Sequence, residues 1–259
     1  LSNVVLNGKA VSLKNDAFIR IFGGGANCYV PDFIGNILGV KKVNILTLVV
    51  GVLICAVYVF VLFRGRANKK KKGYELKSFT SEIIKMVIIC AVVLFITYKL
   101  AMYKGIPTAL MWVAIIVVVY GYITSKTTTG RYFYAVGGNE KATKLSGINT
   151  NKVYFIAYTN LGFLSAIAGL LTIARLTSAQ PTYGQNYEMD AIGSCFIGGA
   201  SAYGGVGTVP GVIIGATLMG VINLGMSIMG VDANWQKVVK GAVLLVAVIF
   251  DVVSKKQKD

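Results

Sequence analysis

Six long apolar segments, separated by shorter polar stretches, constrain the fold of this chain more than any other feature. Each is apolar for most of the roughly 20 residues that a helix needs to cross a bilayer. Segments of this kind predict helices, because a helix satisfies its own backbone hydrogen bonds in lipid. We therefore expect an all-α, polytopic membrane helical bundle. The predicted spans are residues 43–63, 83–103, 108–124, 153–174, 209–229 and 238–253.

The composition agrees with an integral membrane protein. Charged residues make up 14% of the chain, whereas a soluble domain usually carries about 25%. The net charge of +16 does not indicate a nucleic-acid partner, because the basic residues are grouped between the apolar spans. Such grouping is typical of cytoplasmic loops. The lysine run at 69–72 could also bind anionic membrane lipid.

Several kinds of chemistry are disfavoured by the residues present. The chain has no histidine and four cysteines, none of them in a CxxC pair, so a metal site or a Ser–His nucleophile is not expected. We expect Cys28, Cys55, Cys90 and Cys195 to be small packing residues. No GxxxxGK[ST] motif is present, so the chain should have no ATPase site. The sequence predicts no catalytic residue, metal or cofactor.

The basic stretches predict the topology. The positive-inside rule places 64–77, 125–152 and the C-terminal KKQKD in the cytoplasm, and residues 1–42 and 175–188 outside. Two regular spans after residue 188 would leave KKQKD outside, so one more inward crossing is needed. The candidate is the short, glycine-rich stretch 189–202, which we expect to be an irregular, short or partly re-entrant helix covered by protein or water.

The first glycine-rich block, GRYFYAVGGNEKATKLSGI, occupies residues 130–148. Asn139 is expected to cap a short helix, with Glu140 in its first turn and Gly147 at its end. Physical arguments alone leave two interpretations equal. The segment is either a capped linker helix or a surface for a cytosolic partner or the other channel subunit.

The second block, MDAIGSCFIGGASAYGGVG, occupies residues 189–207. Its glycines, followed by Gly211 and Gly215 in a GxxxG pattern, favour close helix packing; Gly220, Gly225 and Gly230 continue the series. Its density of glycines is stronger evidence than the GxxxG pattern alone.

A few charged or aromatic residues near the ends of the predicted spans are candidate contacts. Glu188 and Asp190 could meet a delivering protein or line a polar path, although a solvated loop edge is the simpler interpretation. Asp232 and Trp235, in the last outer turn, could meet substrate or a binding protein. Asp251 is expected to pair with Lys255, one helical turn away, rather than to relay protons.

The two blocks, together with SAQP at 178–181 and WQKVVKGAVLLVAVIFD at 235–251, resemble the permease subunits of ATP-binding cassette importers for simple sugars. The resemblance covers about residues 44–259 and is greatest to the D-xylose type. It implies part of a type II importer permease fold. Residues 43–259 would be the C-terminal part of the permease domain, and residues 1–42 an extracytoplasmic segment after N-terminal spans absent from this sequence.

The resemblance also implies a function and partners. Two permease copies in a bacterial cell membrane would carry a monosaccharide, a pentose such as xylose, by alternating access. Separate ATPase subunits would hold ATP and Mg, and an extracytoplasmic sugar-binding protein would deliver the sugar. The implied ATPase-docking residues are Gly198, Gly199, Ser201, Tyr203, Gly204 and Gly205. The implied second cytoplasmic contact surface consists of Gly130, Arg131, Asn139, Glu140 and Gly147.

Other classes of transporter remain alternatives. Within the importer class, the alternative is a nucleoside or branched-chain amino-acid permease, from which the loop after the first block should distinguish a sugar permease. An ion-coupled secondary transporter fits less well, because such proteins carry ionisable residues at mid-membrane. A membrane-embedded enzyme fits least, since the chain lacks histidine and a clustered acid–base pair.

Overall fold

The computed structural model describes residues 10–24, 28–39, 43–71 and 79–256. The chain divides into two compact units, one of Asn15–Met111 and one of Leu1–Lys14 together with Trp112–Asp259. The elements in chain order are β1 (Val11–Ser12), α1 (Asp16–Phe22), α2 (Phe33–Leu38), α3 (Ile45–Lys71), α4 (Phe79–Tyr103), α5 (Thr108–Lys126), α6 (Thr128–Gly138), α7 (Glu140–Leu145), α8 (Thr150–Leu176), β2 (Ser178–Ala179), α9 (Tyr187–Ile197), α10 (Val209–Ile228) and α11 (Ala233–Lys256).

Five of the helices, α3, α4, α5, α8 and α10, are long and apolar enough to cross a membrane. They contain the first five predicted spans, apart from at most two residues at an end, so the all-α, polytopic prediction is confirmed. The sixth predicted span lies in α11, which is not among the five. That helix carries charged side chains along its length, including Lys237, Lys240 and Asp251.

The prediction of a basic loop at 64–77 is wrong for its first part, because α3 continues to Lys71. Arginine, lysine and alanine are strong helix formers, and long basic side chains reach water from a helix that leaves the bilayer. Arg66 forms an ion pair with Glu82 of α4. Residues 72–78 lie outside the described chain.

Within Asn15–Met111, α3 and α4 pack through a small-residue contact. A methyl group added to Gly51 would lie 2.5 Å from Thr97 Oγ1 and 2.8 Å from Thr97 Cγ2. Cys55 Sγ lies 3.9 Å from the carbonyl oxygen of Cys90, and all four cysteines of the chain are free thiols. The packing role predicted for Cys55 is consistent with this contact.

Changing Gly51 to alanine is expected to lower the thermal stability of the protein by about 1–3 kcal/mol, because the added methyl group overpacks the α3–α4 contact. Changing Thr97 to alanine as well removes the two closest atoms and should restore part of the loss. Thermal unfolding of the detergent-purified protein measures both. Equal unfolding temperatures for the single and double variants would contradict the proposed contact.

In the second unit, α9 and α10 form an antiparallel hairpin packed through glycines. A methyl group on Gly198 would lie 2.5 Å from the carbonyl carbon of Gly211, and one on Gly215 would lie 2.9 Å from that of Ser194. The predicted packing role of the GxxxG pattern is therefore confirmed. It does not extend along α10, because an added methyl group on Gly220 or Gly225 would meet no atom of the described chain within 4 Å.

The segment 125–152 was expected to be a loop with one short helix, and it contains two helices. Thr127 Oγ1 caps α6 by accepting from Gly130 N at 3.2 Å. Asn139 Oδ1 caps α7 by accepting from Ala142 N at 3.0 Å, as predicted. The extra helix forms because residues 128–136 contain no proline and only one glycine, Gly130 in the first turn, and the glycine pair follows only at 137–138.

Candidate functional site

The connection between α9 and α10, residues 198–208, is called the glycine turn below. Gly199, Gly204 and Gly205 have φ angles of +84°, +85° and +72°. Only glycine adopts this left-handed backbone without a steric penalty. Two hydrogen bonds close the turn, from Ser201 N to Val206 O and from Gly204 N to Ser201 O, both at 3.1 Å. The glycines therefore specify a fixed turn.

The glycine turn packs directly on the C-terminal end of α6. A methyl group on Gly204 would lie 2.5 Å from Gly137 O, and one on Gly205 would lie 2.7 Å from Gly138 Cα. Tyr134 Oη donates to Gly207 O at 2.8 Å. The two glycine-rich blocks that the sequence singles out are thus parts of one backbone-to-backbone contact. Because the two blocks are far apart in sequence, this contact could not be predicted from the sequence.

The same turn is held from another direction by α11. Asp251 Oδ2 accepts from Ala202 N at 3.0 Å and lies 3.4 Å from Ser201 Oγ. Asp251 was expected to pair with Lys255. The side chain of Lys255 lies outside the described part of the chain. Asp251 is therefore a positioning residue for the glycine turn.

Changing Asp251 to alanine is expected to destabilise the protein by about 1–3 kcal/mol, because the Ala202 N–H loses its charged acceptor. Asparagine at this position retains one acceptor oxygen and should cost less. Amide hydrogen exchange measured for the Ser201–Tyr203 segment reports the effect directly. Unchanged exchange in the alanine variant would show that Asp251 does not hold the turn.

An exposed surface formed by the glycine turn and α6–α7 is called the docking surface below. Leu145, Tyr203 and Val206 are 90%, 70% and 61% exposed. Arg131 and Lys144 are also exposed on α6 and α7. Large exposed apolar side chains with basic neighbours are suited to a protein partner that presents apolar and acidic groups.

The predicted contact residues do not all belong to this surface. Gly198 is packed against α10, and a methyl group on Gly130 would lie 2.5 Å from Thr124 O, so both are enclosed by their own chain. Glu140 Oε2 accepts from Tyr154 Oη at 3.1 Å. Gly147 adjoins α7 and has a φ angle of +82°. A methyl group added to it would have no described atom within 4 Å. The exposed candidates are Gly199, Tyr203, Arg131, Asn139, Glu140 and Gly147.

The residues predicted to contact extracytoplasmic partners have different environments. Glu188 is exposed in the first turn of α9. Asp232 Oδ1 accepts from Asn234 N at 2.8 Å and so lies at the start of α11, while Trp235 is 65% exposed. Asp190 is not at a solvated edge in the described chain, because Lys240 Nζ lies 2.8 Å from its Oδ2.

Lys240 is the residue of this region that sequence reasoning missed. Its side chain is 15% exposed, and that of Asp190 is 25% exposed. The available signal was a lone lysine inside the apolar run 238–250, where an ionisable residue usually has a partner. On the Asp251 side of this ion pair, an open groove of about 610 Å³ is lined by residues of α9, α10 and α11. Its walls include Phe196, Leu218, Val243, Val246, Phe250 and Asp251.

The family model described as branched-chain amino acid transport system / permease component matches residues 32–248. The xylose transport system permease protein XylH of Haemophilus influenzae is 39% identical over 253 residues, which are 97% of this chain and 63% of that protein. The Escherichia coli XylH protein is 35% identical over 98% of this chain and 60% of its own length.

The ribose import permease protein RbsC of Escherichia coli is 46% identical over 153 residues, 59% of this chain and 47% of that protein. No solved structure matches the chain. The chain spans about three fifths of the length of the xylose permeases that it matches along its whole extent. It is a multi-pass membrane protein, and the part of the chain that the structure describes contains five helices able to cross a bilayer. Because the family match covers well over half of its residues, the chain belongs to the branched-chain amino acid transport system / permease component family.

Proposed function

We propose that this chain is part of the membrane permease subunit of an ATP-driven importer for a monosaccharide, a pentose such as xylose. One observation carries the proposal: the similarity to the xylose transport permease of Haemophilus influenzae extends over 97% of the chain at 39% identity. The glycine turn and the α6–α7 segment lie within that range. The aligned range therefore includes the docking surface.

The docking surface is the proposed site for the ATPase subunit of the importer. Its exposed Tyr203 and Leu145 offer apolar contacts, and Arg131 and Lys144 offer charge to an acidic rim. In this proposal ATP and Mg are held by the partner ATPase, in line with the lack of a phosphate-binding GxxxxGK[ST] motif in the sequence of this chain. In this proposal the C-terminus lies in the cytoplasm of a bacterial cell.

The mechanism that we propose is alternating access. ATP-driven closure of the ATPase subunits would move the glycine turn, which is bonded to both α6 and α11. Glu188, Asp232 and Trp235 are the proposed contacts for an extracytoplasmic sugar-binding protein. A second permease copy would complete the path, in line with the general use of two membrane subunits in the importer class that the sequence resembles.

ATP hydrolysis in proteoliposomes tests this function. The full-length permease that contains this chain is reconstituted with its ATPase and binding protein, and xylose, ribose and galactose are added in turn. We expect one of the sugars to stimulate ATP hydrolysis, and to do so only when the binding protein is present. An assembled complex that none of the sugars stimulates would overturn the sugar assignment.

A branched-chain amino acid is the second candidate substrate, because the matching family model carries that description. Leucine, isoleucine and valine are therefore included in the same assay. Stimulation by one of them, with no response to any sugar, would favour this candidate. Failure of the permease to assemble with an ATPase would instead reopen the possibility of an ion-coupled transporter.

A further inference from the structure

Basic residues are grouped at the C-terminal end of α3, the first membrane-crossing helix of the described chain. Between positions 64 and 85 the sequence has eight basic and two acidic residues. Five of the basic residues lie in the last eight positions of α3: Arg64, Arg66, Lys69, Lys70 and Lys71. Because these eight positions are helical, their distances from the apolar part of α3 are fixed.

This basic end of α3 lies at the level of the lipid headgroups. The apolar part of the helix, residues 45–63, extends for about 28 Å at 1.5 Å per residue, close to the roughly 30 Å thickness of the hydrocarbon core. The whole of α3, 27 residues, extends for about 40 Å, and a bilayer with its headgroups measures about 40–45 Å. Residues 64–71 therefore lie in and just beyond the headgroup layer of one leaflet. The positive-inside rule places that leaflet on the cytoplasmic side.

The side chains at the boundary between the apolar and basic parts of α3 are open to a ligand. Phe60 and Phe63 are 61% and 50% exposed in the described chain, and Arg64 is exposed as well. The guanidinium carbon of Arg64 lies 6.0 Å from the centroid of the Phe60 ring, so its charge is held next to the apolar surface. A ligand at this boundary meets aromatic side chains and a guanidinium group together.

Only one side of the basic end of α3 is directed at α4. Arg66 forms an ion pair with Glu82 of α4. Successive residues of a helix are about 100° apart around its axis, so position 64 lies about 160° from position 66, and position 71 lies about 20° from position 64. Positions 64 and 71 are therefore on the side of α3 opposite to the Arg66–Glu82 contact, where a membrane lipid can approach.

The chemistry of this surface selects an anionic phospholipid. Guanidinium and ammonium groups bind phosphate, and a guanidinium group can do so with two parallel hydrogen bonds. A phospholipid supplies a phosphate at the level of Arg64 and acyl chains at the level of Phe60 and Phe63, whereas a soluble anion supplies only the charge. A zwitterionic lipid carries its own cation beside the phosphate. Basic residues next to a membrane-crossing helix accordingly attract anionic lipids.

We propose that the C-terminal end of α3 binds the headgroup of an anionic phospholipid in the cytoplasmic leaflet. Arg64 and Lys71 are the contacts for the phosphate, and Phe60 and Phe63 pack against an acyl chain. This lipid site shares no residue with the docking surface. The inference does not depend on which substrate the importer carries.

Quenching of tryptophan fluorescence by brominated lipids tests the inference. The reporter is Phe63→Trp, in the full-length permease with its other tryptophans changed to phenylalanine; tryptophan is common at membrane interfaces. Quenching by brominated phosphatidylglycerol and by brominated phosphatidylcholine is compared in mixed vesicles. We expect phosphatidylglycerol to bind beside the reporter about 5- to 25-fold more tightly, a factor of about five for each basic contact. Equal quenching by the two lipids would overturn the inference.

A change of salt tests the electrostatic basis without any change at the basic residues. In 1 M salt the Debye length is about 3 Å, so the preference for phosphatidylglycerol should be largely lost. A preference that is the same in 0.1 M and 1 M salt would contradict binding through Arg64 and Lys71.

Two pairs of substitutions in the reporter protein test the residues themselves. The Arg64→Gln, Lys71→Gln variant should lower the lipid preference about fivefold or more. The Arg64→Lys, Lys71→Arg variant is the matched control, because it exchanges the side chains and keeps both charges, so the preference should persist. An unchanged preference in the glutamine variant would overturn the assignment.

Binding of the ATPase subunit, measured for the same variants, distinguishes a lipid from a protein partner. The glutamine variant should bind the ATPase as well as the unsubstituted reporter protein does, since the lipid site lies outside the docking surface. Weaker ATPase binding together with an unchanged lipid preference would assign Arg64 and Lys71 to a protein contact and overturn the inference.

Discussion

Changing Gly204 to alanine is expected to abolish substrate-stimulated ATP hydrolysis by the assembled importer. A side chain costs about 1–2 kcal/mol at the left-handed φ of +85°. The new methyl group would also lie 2.5 Å from Gly137 O, and neither backbone can move without opening the contact between the glycine turn and α6. Overpacking of this kind costs about 1–3 kcal/mol more. ATPase stimulation and binding of the ATPase subunit are the two measurements.

Gly230→Ala is the matched control for this prediction. Gly230 also has a positive φ angle, +68°, but no described atom lies within 4 Å of an added methyl group. It carries a similar backbone penalty without the steric clash, so stimulation should persist. If the two variants lose stimulation equally, backbone strain alone explains the effect, and the contact with Gly137 has no part in coupling.

Changing Lys240 to methionine is expected to destabilise the protein by about 1–3 kcal/mol, because the partly buried Asp190 carboxylate loses its counter-ion and hydrogen-bond donor. The loss should be largely restored in the Asp190→Asn, Lys240→Met double variant, which buries no charge. Thermal unfolding is measured in detergent for the full-length protein, both single variants and the double variant. Comparison of the four gives the coupling energy between the two side chains.

Lys237→Met is the control for the lysine substitution, since Lys237 is exposed and lies on the same helix. Its replacement should change stability by less than about 0.5 kcal/mol. Additive losses in the Asp190 and Lys240 cycle would contradict the ion pair. Equal losses of stability in Lys237→Met and Lys240→Met would also contradict the ion pair.

Much of the fold could be predicted from the sequence because membrane spans depend on local composition. The runs 43–63, 83–103, 108–124, 153–174 and 209–229 each lie, apart from at most two residues at an end, within a helix long enough to cross a bilayer. The cap at Asn139 and the close packing at Gly211 and Gly215 were also predictable, because each has a local signal in the sequence: an asparagine before a helix, and two glycines four positions apart. Helix ends were less predictable. A basic stretch such as 64–71 can continue a helix into water as readily as it can form a loop.

The arrangement of the candidate site depended on contacts that sequence spacing does not specify. Gly137 and Gly204 are 67 positions apart, and either glycine alone indicates only a turn or a close approach. Asp190 was placed at a loop edge because its charge and its neighbour Glu188 suggested solvent. Its partner Lys240 is 50 residues away. The charge pair becomes visible only when α9, α10 and α11 are brought together.

The two polar contacts of α11 have a mechanical consequence. Lys240 is bonded to the first turn of α9, and Asp251 is bonded to the glycine turn that follows the same short helix. The two contacts are about 16 Å apart along α11. Both ends of α9 are therefore held by the same rigid helix, α11. A displacement imposed on the glycine turn must therefore be transmitted to the level of Asp190 undiminished, and a loose attachment at either residue would let one end move without the other.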